Sequence, residues 1–334
     1  MFRIYMDSGT STTRAYLIKG NEALDEVSAK VGTKDSAIRG SNDVLLSAMY
    51  GCYKELTNKN SLNDADIREI WMSGMVTNNF GLVEAEHTSL PVDAKKLANT
   101  AYVHNETKFF TREVHLVRGA KTAQPGQSID INNIADINTV RGEEIEAIGL
   151  AASTEVPLGS DCVMISPGSH THMLRIQNGA IIDISSNFTG ELSHAIKTQT
   201  ILGGELSPDP VEMREEYVLL GLKYLTEYGI NRSLHIIHAT RVLNVLTDNV
   251  RSQVFEGLIR GGVIRLLAKK ISKDWLGVQN VIILGGKPYT RAYEILCRHL
   301  LPHDIKINLI NNVTESYALR GFFEIIKVKG GATA

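Results

Sequence analysis

Two stretches decide the fold of this 334-residue chain, Asp7-Ser8-Gly9-Thr10-Ser11-Thr12 and Pro167-Gly168-Ser169-His170-Thr171. Each stretch lies between two short apolar runs, which is the pattern of two strands joined by a polar loop. In both halves a turn glycine, Gly20 or Gly179, follows the loop glycine by 11 residues and leads into a third strand. The chain therefore contains the same strand–loop–strand–turn–strand unit twice, which predicts two domains of similar fold.

The remaining pattern alternates between strands and helices. Period-two and continuous apolar runs predict strands at 2–6, 13–18, 22–27, 67–72, 162–166, 171–176, 180–184, 281–284 and 305–310. Helical spacing predicts helices after a cap at Ser41 or Asn42, from about Gly142, and over 190–199, 211–228, 234–246, 250–271, 289–300 and 314–326. Residues 119–138 are rich in turn formers and predict a loop.

Composition narrows the class of protein. Hydrophobic residues make up 43% and charged residues 22%, as in globular proteins, and the net charge of −2 leaves no basic surplus for nucleic acid or an anionic membrane. No apolar run approaches the ~18 residues of a membrane span. Asp7 comes too early for a signal peptide, and three widely spaced cysteines indicate reduced thiols. These features predict a cytoplasmic protein.

The first loop has the composition of a phosphate site. A hairpin loop presents successive backbone N–H groups, and Gly9 lacks the Cβ that would block close approach. The hydroxyls of Thr10, Ser11 and Thr12 can add hydrogen bonds to phosphate oxygens. Asp7 can hold Mg²⁺ through water, because this hard cation prefers carboxylate and water oxygens. The alternative is an ordinary hairpin whose turn is rich in hydroxyl residues; no Walker motif is present.

The second loop, Gly168-Ser169-His170, repeats this composition in the other half. If the repeat is real, the two loops face each other and grip one polyphosphate from both sides. The pair Gly285-Gly286 stands between a predicted strand and a helix, where a flat base or a ribose could lie against the backbone. The alternative for this pair is a strand-to-helix turn that requires positive φ.

Two further stretches stand at predicted helix starts. In Arg141-Gly142-Glu143-Glu144 the helix N-terminus favours an ionised carboxylate, which can accept a hydroxyl proton as a general base. Surface glutamates that complement the helix dipole are the alternative. Thr189, before Gly190, either caps the following helix or binds a substrate hydroxyl or anion.

Taken together, the two loops and the late Gly-Gly turn resemble the superfamily of sugar kinases, acetate kinase, actin and the heat-shock chaperone ATPases. Within it the chain is most similar to the 2-dehydro-3-deoxygalactonokinase family. The matching stretches, in order, are Asp7-Ser8-Gly9-Thr10 with Thr13-Arg14-Ala15, Gly74-Met75-Val76 with Leu90-Pro91, Arg141-Gly142-Glu143-Glu144 with Gly149, Pro167-Gly168-Ser169-His170, and Thr189-Gly190-Glu191-Leu192 with Ile201-Leu202-Gly203.

The resemblance implies an α/β fold with two ribonuclease-H-like, actin-like ATPase domains, each a mixed sheet flanked by helices, and an ATP cleft between them. The expected domains are residues 1–152 and 153–329, with the helix at 314–326 packing back on the first and 330–334 as a tail. The implied activity is ATP- and Mg²⁺-dependent phosphorylation of 2-dehydro-3-deoxy-D-galactonate to its 6-phosphate. The expected partners are this small sugar acid and a second copy of the chain as a homodimer.

The resemblance also assigns expected roles. Asp7 orients the hydration shell of Mg²⁺, and Glu143 or Glu144 is the base, with Glu144 preferred. Phosphates bind to Gly9, Thr10, Ser11, Thr12, Gly168, Ser169 and His170, and adenosine binds at Gly285 and Gly286. The sugar acid is expected to contact Asn79, Arg14, Arg141 and Thr189.

Departures from the family pattern define the rival interpretations. The family usually has Trp at Ser8, and it often has Arg at the position of Asn79. Loss of that Arg favours a kinase of the same fold that acts on a neutral sugar or on another keto-deoxy acid. A nucleotide-binding regulatory protein without catalysis is the rival from another class, and the retained Arg141-Gly142-Glu143-Glu144 stretch argues against it.

Overall fold

The computed structural model describes residues 1–154, 160–208, 211–286, 289–311 and 316–331. Its strands, in chain order, are β1 Phe2–Ser8, β2 Thr13–Lys19, β3 Glu22–Ala29, β4 Ile67–Gly74, β5 Thr88–Ser89, β6 Tyr102–Glu106, β7 Arg112–Leu116, β8 Ala120–Lys121, β9 Thr139–Val140, β10 Cys162–Pro167, β11 His170–Gln177, β12 Ala180–Phe188, β13 Asn280–Leu284 and β14 Lys306–Ile310. All nine predicted strands are present, and most extend one or two residues beyond the predicted bounds.

The helices are α1 Thr33–Arg39, α2 Asp43–Lys59, α3 Ala94–Thr100, α4 Glu143–Ala151, α5 Gly190–Gln199, α6 Glu215–Val242, α7 Asp248–Lys273, α8 Tyr289–Leu300 and α9 Tyr317–Gly331. The helices predicted at 211–228 and 234–246 together correspond to α6, which consists of two helices that meet at a kink, because Gly229 is non-helical with φ +70° and ψ 174°. Residues 314 and 315 of the predicted last helix, and 332–334 of the predicted tail, lie outside the described residues.

The chain divides into two compact units. Unit 1 consists of Met1–Leu158, Gly179–Ile184 and Glu315–Ala334, and unit 2 of Gly159–Asn178 and Ser185–Thr314. The expected boundary between two domains at residues 152 and 153 stays a prediction.

Unit 1 contains a six-stranded sheet in the order β3-β2-β1-β4-β7-β6. The first three strands form an antiparallel meander, and β4 lies parallel to β1 on its other side. One face is covered by α2, whose Leu45, Met49 and Leu56 recur at helical spacing and are fully buried. The loop after β1, which the sequence predicts as a phosphate site, therefore begins where β1 and β4 end together. Ligands bind at this edge in sheets of this kind.

Unit 2 repeats this arrangement with the order β12-β11-β10-β13-β14. Here too the first strand, β10, lies between an antiparallel neighbour, β11, and a parallel one, β13. The predicted fold class is confirmed: both sheets are mixed, they share one strand order, and helices flank them. The repeat in the sequence is thus a repeat of topology.

Two glycines bring α4 and α9 together within unit 1. A side chain on Gly149 would collide with the backbone carbonyl of Tyr317, and one on Gly321 would collide with that of Ile145. This close crossing fixes the direction of α4, and with it the position of the carboxylates at its N-terminus.

A third, small sheet in unit 1 has the order β5-β8-β9. Its strand β8 and a short 3₁₀ turn at Ile134–Asp136 fall within the segment that the sequence predicts as a loop. Within the described part of the chain, no helix has the length and apolar character needed to span a membrane.

Candidate active site

The loop after β1 is held in place by the start of α1. The N–H of Gly9 donates to the carbonyl of Thr12 at 2.8 Å, and the N–H of Lys34 donates to the carbonyl of Thr10 at 2.9 Å. Gly32 lies directly under the loop, since a side chain there would collide with the backbone of Thr10 and Ser11. The sequence interpretation missed Gly32, although a glycine just before a helix is a usual sign of close approach.

Asp7 lies near the end of β1 between two strands that both contribute to its surroundings. In the sheet register it stands opposite Arg14 of β2 and Ser73 of β4. Burial raises the pKa of the Asp7 carboxyl, while the charge of Arg14 and a hydrogen bond from Ser73 act to lower it. The charge of Arg14 therefore favours the ionised form of Asp7, and the expected contact of Arg14 with the sugar acid stays a prediction.

Two glycines with positive φ bring the start of α4 next to Asp7. A Cβ on Gly74, where φ is +77°, would collide with the carbonyl of Ser8 and lie 3.4 Å from Asp7 Oδ1. A Cβ on Gly142, where φ is +113°, would lie 3.5 Å from Gly74 Cα. Only glycine allows this approach without strain, and it places Glu143 close to Asp7.

The two glutamates at the start of α4 have different environments. Glu144 is fully buried; its Oε2 accepts the N–H of Gly142 at 2.7 Å, and its Oε1 has no partner among the described residues. Burial, and then the charge of Glu143, raise the pKa of Glu144 well above its usual range. Glu143 is partly exposed, and burial with the nearby Asp7 charge raises its pKa to about 7.

This difference in exposure favours Glu143 over Glu144, the residue preferred from the sequence, and the identity of the base stays a prediction. A carboxyl with no exposed surface cannot reach a substrate hydroxyl, whereas a partly exposed one with a pKa near the working pH is suited to general base catalysis. The sequence could not separate the two, because both stand in the first turn of the same helix.

Arg141 is engaged within the protein. Its guanidinium donates to the carbonyl of Thr77, to the hydroxyl of Thr77 at 2.8 Å and to the carbonyl of Ala85 at 3.0 Å. Arg141 thus fixes the segment that carries Asn79, which is itself exposed. The expected sugar contacts of Asn79 and Arg141 stay predictions. The hydrogen bonds of Arg141 show that it holds the segment around Thr77 and Ala85 in place.

In unit 2 the second loop is a tight turn against the start of α5. The N–H of Gly168 donates to the carbonyl of His170 at 2.7 Å, and the N–H of Glu191 donates to the carbonyl of Ser169 at 2.9 Å. A side chain on Gly190 would collide with the Gly168 carbonyl. Gly168 and Ser169 are exposed, which leaves them open to a ligand.

Thr189 supports this loop from below. Thr171 Oγ1 lies 2.7 Å from Thr189 Oγ1 and 2.6 Å from the hydroxyl of Tyr293 on α8. Thr189 is buried and makes no side-chain cap for α5, so the expected cap is not present. Its hydroxyl serves a network inside unit 2, and a sugar contact by Thr189 stays a prediction.

The Gly-Gly turn follows β13 as predicted. Gly285 has a φ of +116°, and its N–H donates to the carbonyl of Ile310 at 3.2 Å. Apart from its chain neighbours, no atom of the described residues lies within 4 Å of where a Cβ on Gly286 would be.

A cavity of about 220 Å³ in unit 2 was not foreseen from the sequence. Its wall includes Lys197 of α5, Glu256 of α7 and Tyr289 of α8, and the described residues that line it are Lys197, Gly203, Leu206, Ser207, Pro208, Val211, Met213, Ser252, Glu256 and Tyr289. Lys197 Nζ lies 2.8 Å from Glu256 Oε1. Glu256 and Arg260 stand one helical turn apart, and Arg260 lies over the Tyr289 ring at 4.8 Å. In the sequence, the charged pair Glu256 and Arg260, four residues apart in an apolar part of a predicted helix, was the signal that could have indicated this site.

The described residues contain no group of three or more His, Cys, Asp or Glu side chains that could hold a metal ion. Asp7 alone, beside a loop of hydroxyls and N–H groups, fits Mg²⁺ as proteins hold it with nucleotides: few carboxylates, several waters and the phosphate oxygens of the substrate.

Comparisons with known proteins agree with this geometry. A family model described as 2-keto-3-deoxy-galactonokinase matches residues 7–325. The 2-dehydro-3-deoxygalactonokinase of Escherichia coli K12 is 24% identical over 293 residues, which cover 87% of each chain. The crystal structure of a candidate 2-dehydro-3-deoxygalactonokinase from Sinorhizobium meliloti has a TM-score of 0.74 at 16% identity, covers 99% of each chain and shows the shared fold.

Proposed function

Because this chain belongs to the 2-keto-3-deoxy-galactonokinase family, we propose that it transfers the terminal phosphoryl group of ATP to the terminal hydroxyl of 2-dehydro-3-deoxy-D-galactonate. The products are the 6-phosphate of the sugar acid and ADP. The structural observation that carries the proposal is the meeting of Asp7, the loop after β1 and Glu143 at one edge of the unit 1 sheet.

Glu143 is the proposed general base. Its carboxylate takes the proton of the terminal hydroxyl while that oxygen forms a bond to the γ-phosphorus, and the bond from the γ-phosphorus to the bridging oxygen breaks. The start of α4 favours the ionised form of Glu143, and the Asp7 charge opposes it. Burial is the largest cause of the raised pKa of Glu143, about 7, which lies near the working pH, so the carboxyl can take up and release a proton.

The unit 1 loop is the proposed phosphate site. The backbone and hydroxyls of Gly9, Thr10, Ser11 and Thr12 hold the β- and γ-phosphates, and Asp7 holds Mg²⁺ through water. When bound, the ion neutralises charge on the phosphate oxygens. Since Gly32 and α1 already fix this loop, little conformational entropy is lost on binding.

Unit 2 offers its own nucleotide contacts. Gly168, Ser169 and His170 supply a second phosphate loop, and Gly285 with Gly286 supplies open backbone for ribose. The cavity beside Tyr289 has a largely polar wall with one aromatic ring, several apolar side chains and Glu256 as a hydrogen-bond acceptor, and adenine is its proposed occupant. That both loops act on one nucleotide stays a prediction from the sequence repeat.

A coupled ADP-release assay with Mg-ATP tests the proposal. The panel is 2-dehydro-3-deoxygalactonate, 2-dehydro-3-deoxygluconate, galactonate and neutral hexoses. We expect turnover with the first acid at the highest kcat/KM. Higher kcat/KM on neutral hexoses would overturn the substrate and support a neutral-sugar kinase. Nucleotide binding without turnover on any member would overturn the enzyme assignment.

A further inference from the structure

Three basic residues stand at one end of the small sheet of unit 1. His87 precedes β5, Arg118 lies two residues before β8, and Arg141 follows β9. Because β5 and β8 are parallel and β9 is antiparallel to β8, these three positions lie at the same end. Gly119 brings two of the side chains together, since a Cβ there would lie 2.8 Å from His87 Cδ2 and 2.9 Å from Arg141 Cγ. Arg118 Nη1 contacts the carbonyl of Glu86, the residue before His87.

The cluster has donors that the protein itself does not use. Arg118 forms no ion pair with any carboxylate of the described ranges, and its buried Nε has no hydrogen-bond partner among them. Its guanidinium lies 5.7 Å from the centre of the Tyr102 ring, and Nη1 makes only a 3.5 Å contact with the carbonyl of Glu86. A buried, unpaired guanidinium N–H is costly, and a ligand oxygen is one partner that could satisfy it.

His87 adds a neutral donor. Burial, and then the charges of Arg141 and Lys121, lower the pKa of His87 to about 4, so the ring is neutral near pH 7. Arg141 Nη2 lies 3.5 Å from His87 Nδ1 and can only donate, which assigns the ring proton to Nε2. The Nε2–H is therefore a donor at the same end of the sheet as Arg118.

We propose that Arg118 and His87 form the subsite for the carboxylate of the sugar acid, with Arg141 holding the subsite in place. This inference rests on the proposed function and names the residues that select an acid over a neutral sugar. The planar guanidinium of Arg118 matches the two oxygens of a carboxylate. Arg141 connects the subsite to the reacting end, because only Gly142 separates it from Glu143.

The position also explains the exposed Asn79. If the small sheet holds the carboxylate, a basic residue at position 79 is not required. Arg141 connects the segment of Asn79 with the subsite, because its guanidinium binds Thr77 and contacts His87.

The test is the steady-state kinetics of Arg118→Gln with two substrates: the sugar acid and its C1 carboxamide, which is neutral. We expect KM for the acid to rise about 10- to 100-fold, the range for a hydrogen-bonded charge pair, with kcat within about twofold. KM for the carboxamide should change less than about threefold. For Arg118→Lys, which keeps the charge without the planar guanidinium, KM for the acid should lie between the values of wild type and Arg118→Gln. This variant replaces Arg118→Gln in the test if Arg118→Gln does not fold.

Arg68→Gln is the matched control, because Arg68 lies at the start of β4 with a side chain 54% exposed. It should leave both KM values unchanged. Equal increases for acid and carboxamide, an unchanged KM for the acid, or an increase only in KM for ATP would each overturn the subsite. The wild-type enzyme, assayed alongside the variants, tests the proposed function separately. If it turns over no acid, the proposed function is wrong, whatever the variants show.

Discussion

The hydroxyl of Tyr5 lies 2.8 Å from Ser73 Oγ, in the buried interior behind Asp7. Ser73 in turn hydrogen-bonds to the Asp7 carboxylate, so Ser73 donates to Asp7 and accepts from Tyr5. The Tyr5 ring stacks on Phe322 of α9 with 4.3 Å between centroids. A chain of contacts therefore runs from the last helix to the carboxylate proposed to hold Mg²⁺.

Tyr5→Phe should weaken Mg²⁺ binding without loss of the fold. Removing the hydroxyl leaves Ser73 free to turn away from Asp7, and one hydrogen bond of this kind corresponds to roughly a fivefold change. The Mg²⁺ concentration for half-maximal activity should rise about three- to tenfold, and Mn²⁺ binding in the presence of ADP, followed by electron paramagnetic resonance, should weaken equally. Tyr16→Phe is the control, since that buried ring stacks on Tyr5 at 6.0 Å. A lower Tm with unchanged metal binding would mean that Tyr5 only packs.

Glu143→Gln should abolish most turnover, whereas Glu144→Gln should not. Loss of a general base costs about 10²- to 10⁴-fold in kcat. Glu144 is fully buried and bonds to Gly142, so its variant should keep kcat within about tenfold while changing stability. The measurement is kcat for both variants at saturating ATP and sugar acid. The reverse order of effects would restore Glu144 as the base.

The difference in stability between Glu143→Gln and wild type should depend on pH, because only the wild-type carboxyl titrates. The pKa of Glu143 is raised from 4.5 to about 7 by burial, so folding favours its protonated form. The stabilising effect is complete below about pH 4.5 and is lost as the pH rises through about 7. The variant should thus match wild type in Tm near pH 4.5 and exceed it by roughly 2–6 °C near pH 8. A Tm difference that does not vary with pH would contradict the raised pKa.

Gly32→Ala should impair nucleotide binding through the loop that rests on it. The new methyl group would collide with the backbone of Thr10 and Ser11, so the loop must move away from its N–H donor geometry. We expect the Kd for ATP, measured by calorimetry, to rise at least about tenfold. Gly51→Ala is the matched control, because Gly51 lies within α2 with open space around it and should gain about 0.5–1 kcal/mol in stability.

Tyr289→Leu should weaken ADP binding in the cavity of unit 2. The ring forms part of the cavity wall and lies under Arg260, so Leu removes an aromatic face while keeping an apolar side chain. The Kd for ADP should rise about three- to tenfold, and the KM for the sugar acid should not change. Tyr228→Leu serves as the control, since that side chain is 52% exposed on α6. Equal effects of both variants would place the adenine elsewhere.

Local pattern was enough to predict the strands and turns that carry the site. The alternation before Asp7, the hydroxyl loop after it and the same arrangement at Gly168 predicted both sheets, because strand and turn preferences act over a few residues. Helix α5 was predicted at its observed bounds, Gly190–Gln199, and so was α8 at Tyr289–Leu300. The weak points were short or context-dependent elements such as α1 and the small sheet.

The sequence by itself determined the family, the repeat and the position of the reactive stretches along the chain. Only the tertiary structure decided which glutamate is open, that Arg141 and Thr189 bond within the protein, and that His87 and Arg141 approach each other at Gly119. The physical reason is that hydrogen bonding and burial of a side chain depend on atoms brought together from distant segments, here across the crossing of α4 with α9 and at one end of a three-stranded sheet. Local sequence fixes where a carboxylate stands on its helix, and packing fixes what it can touch.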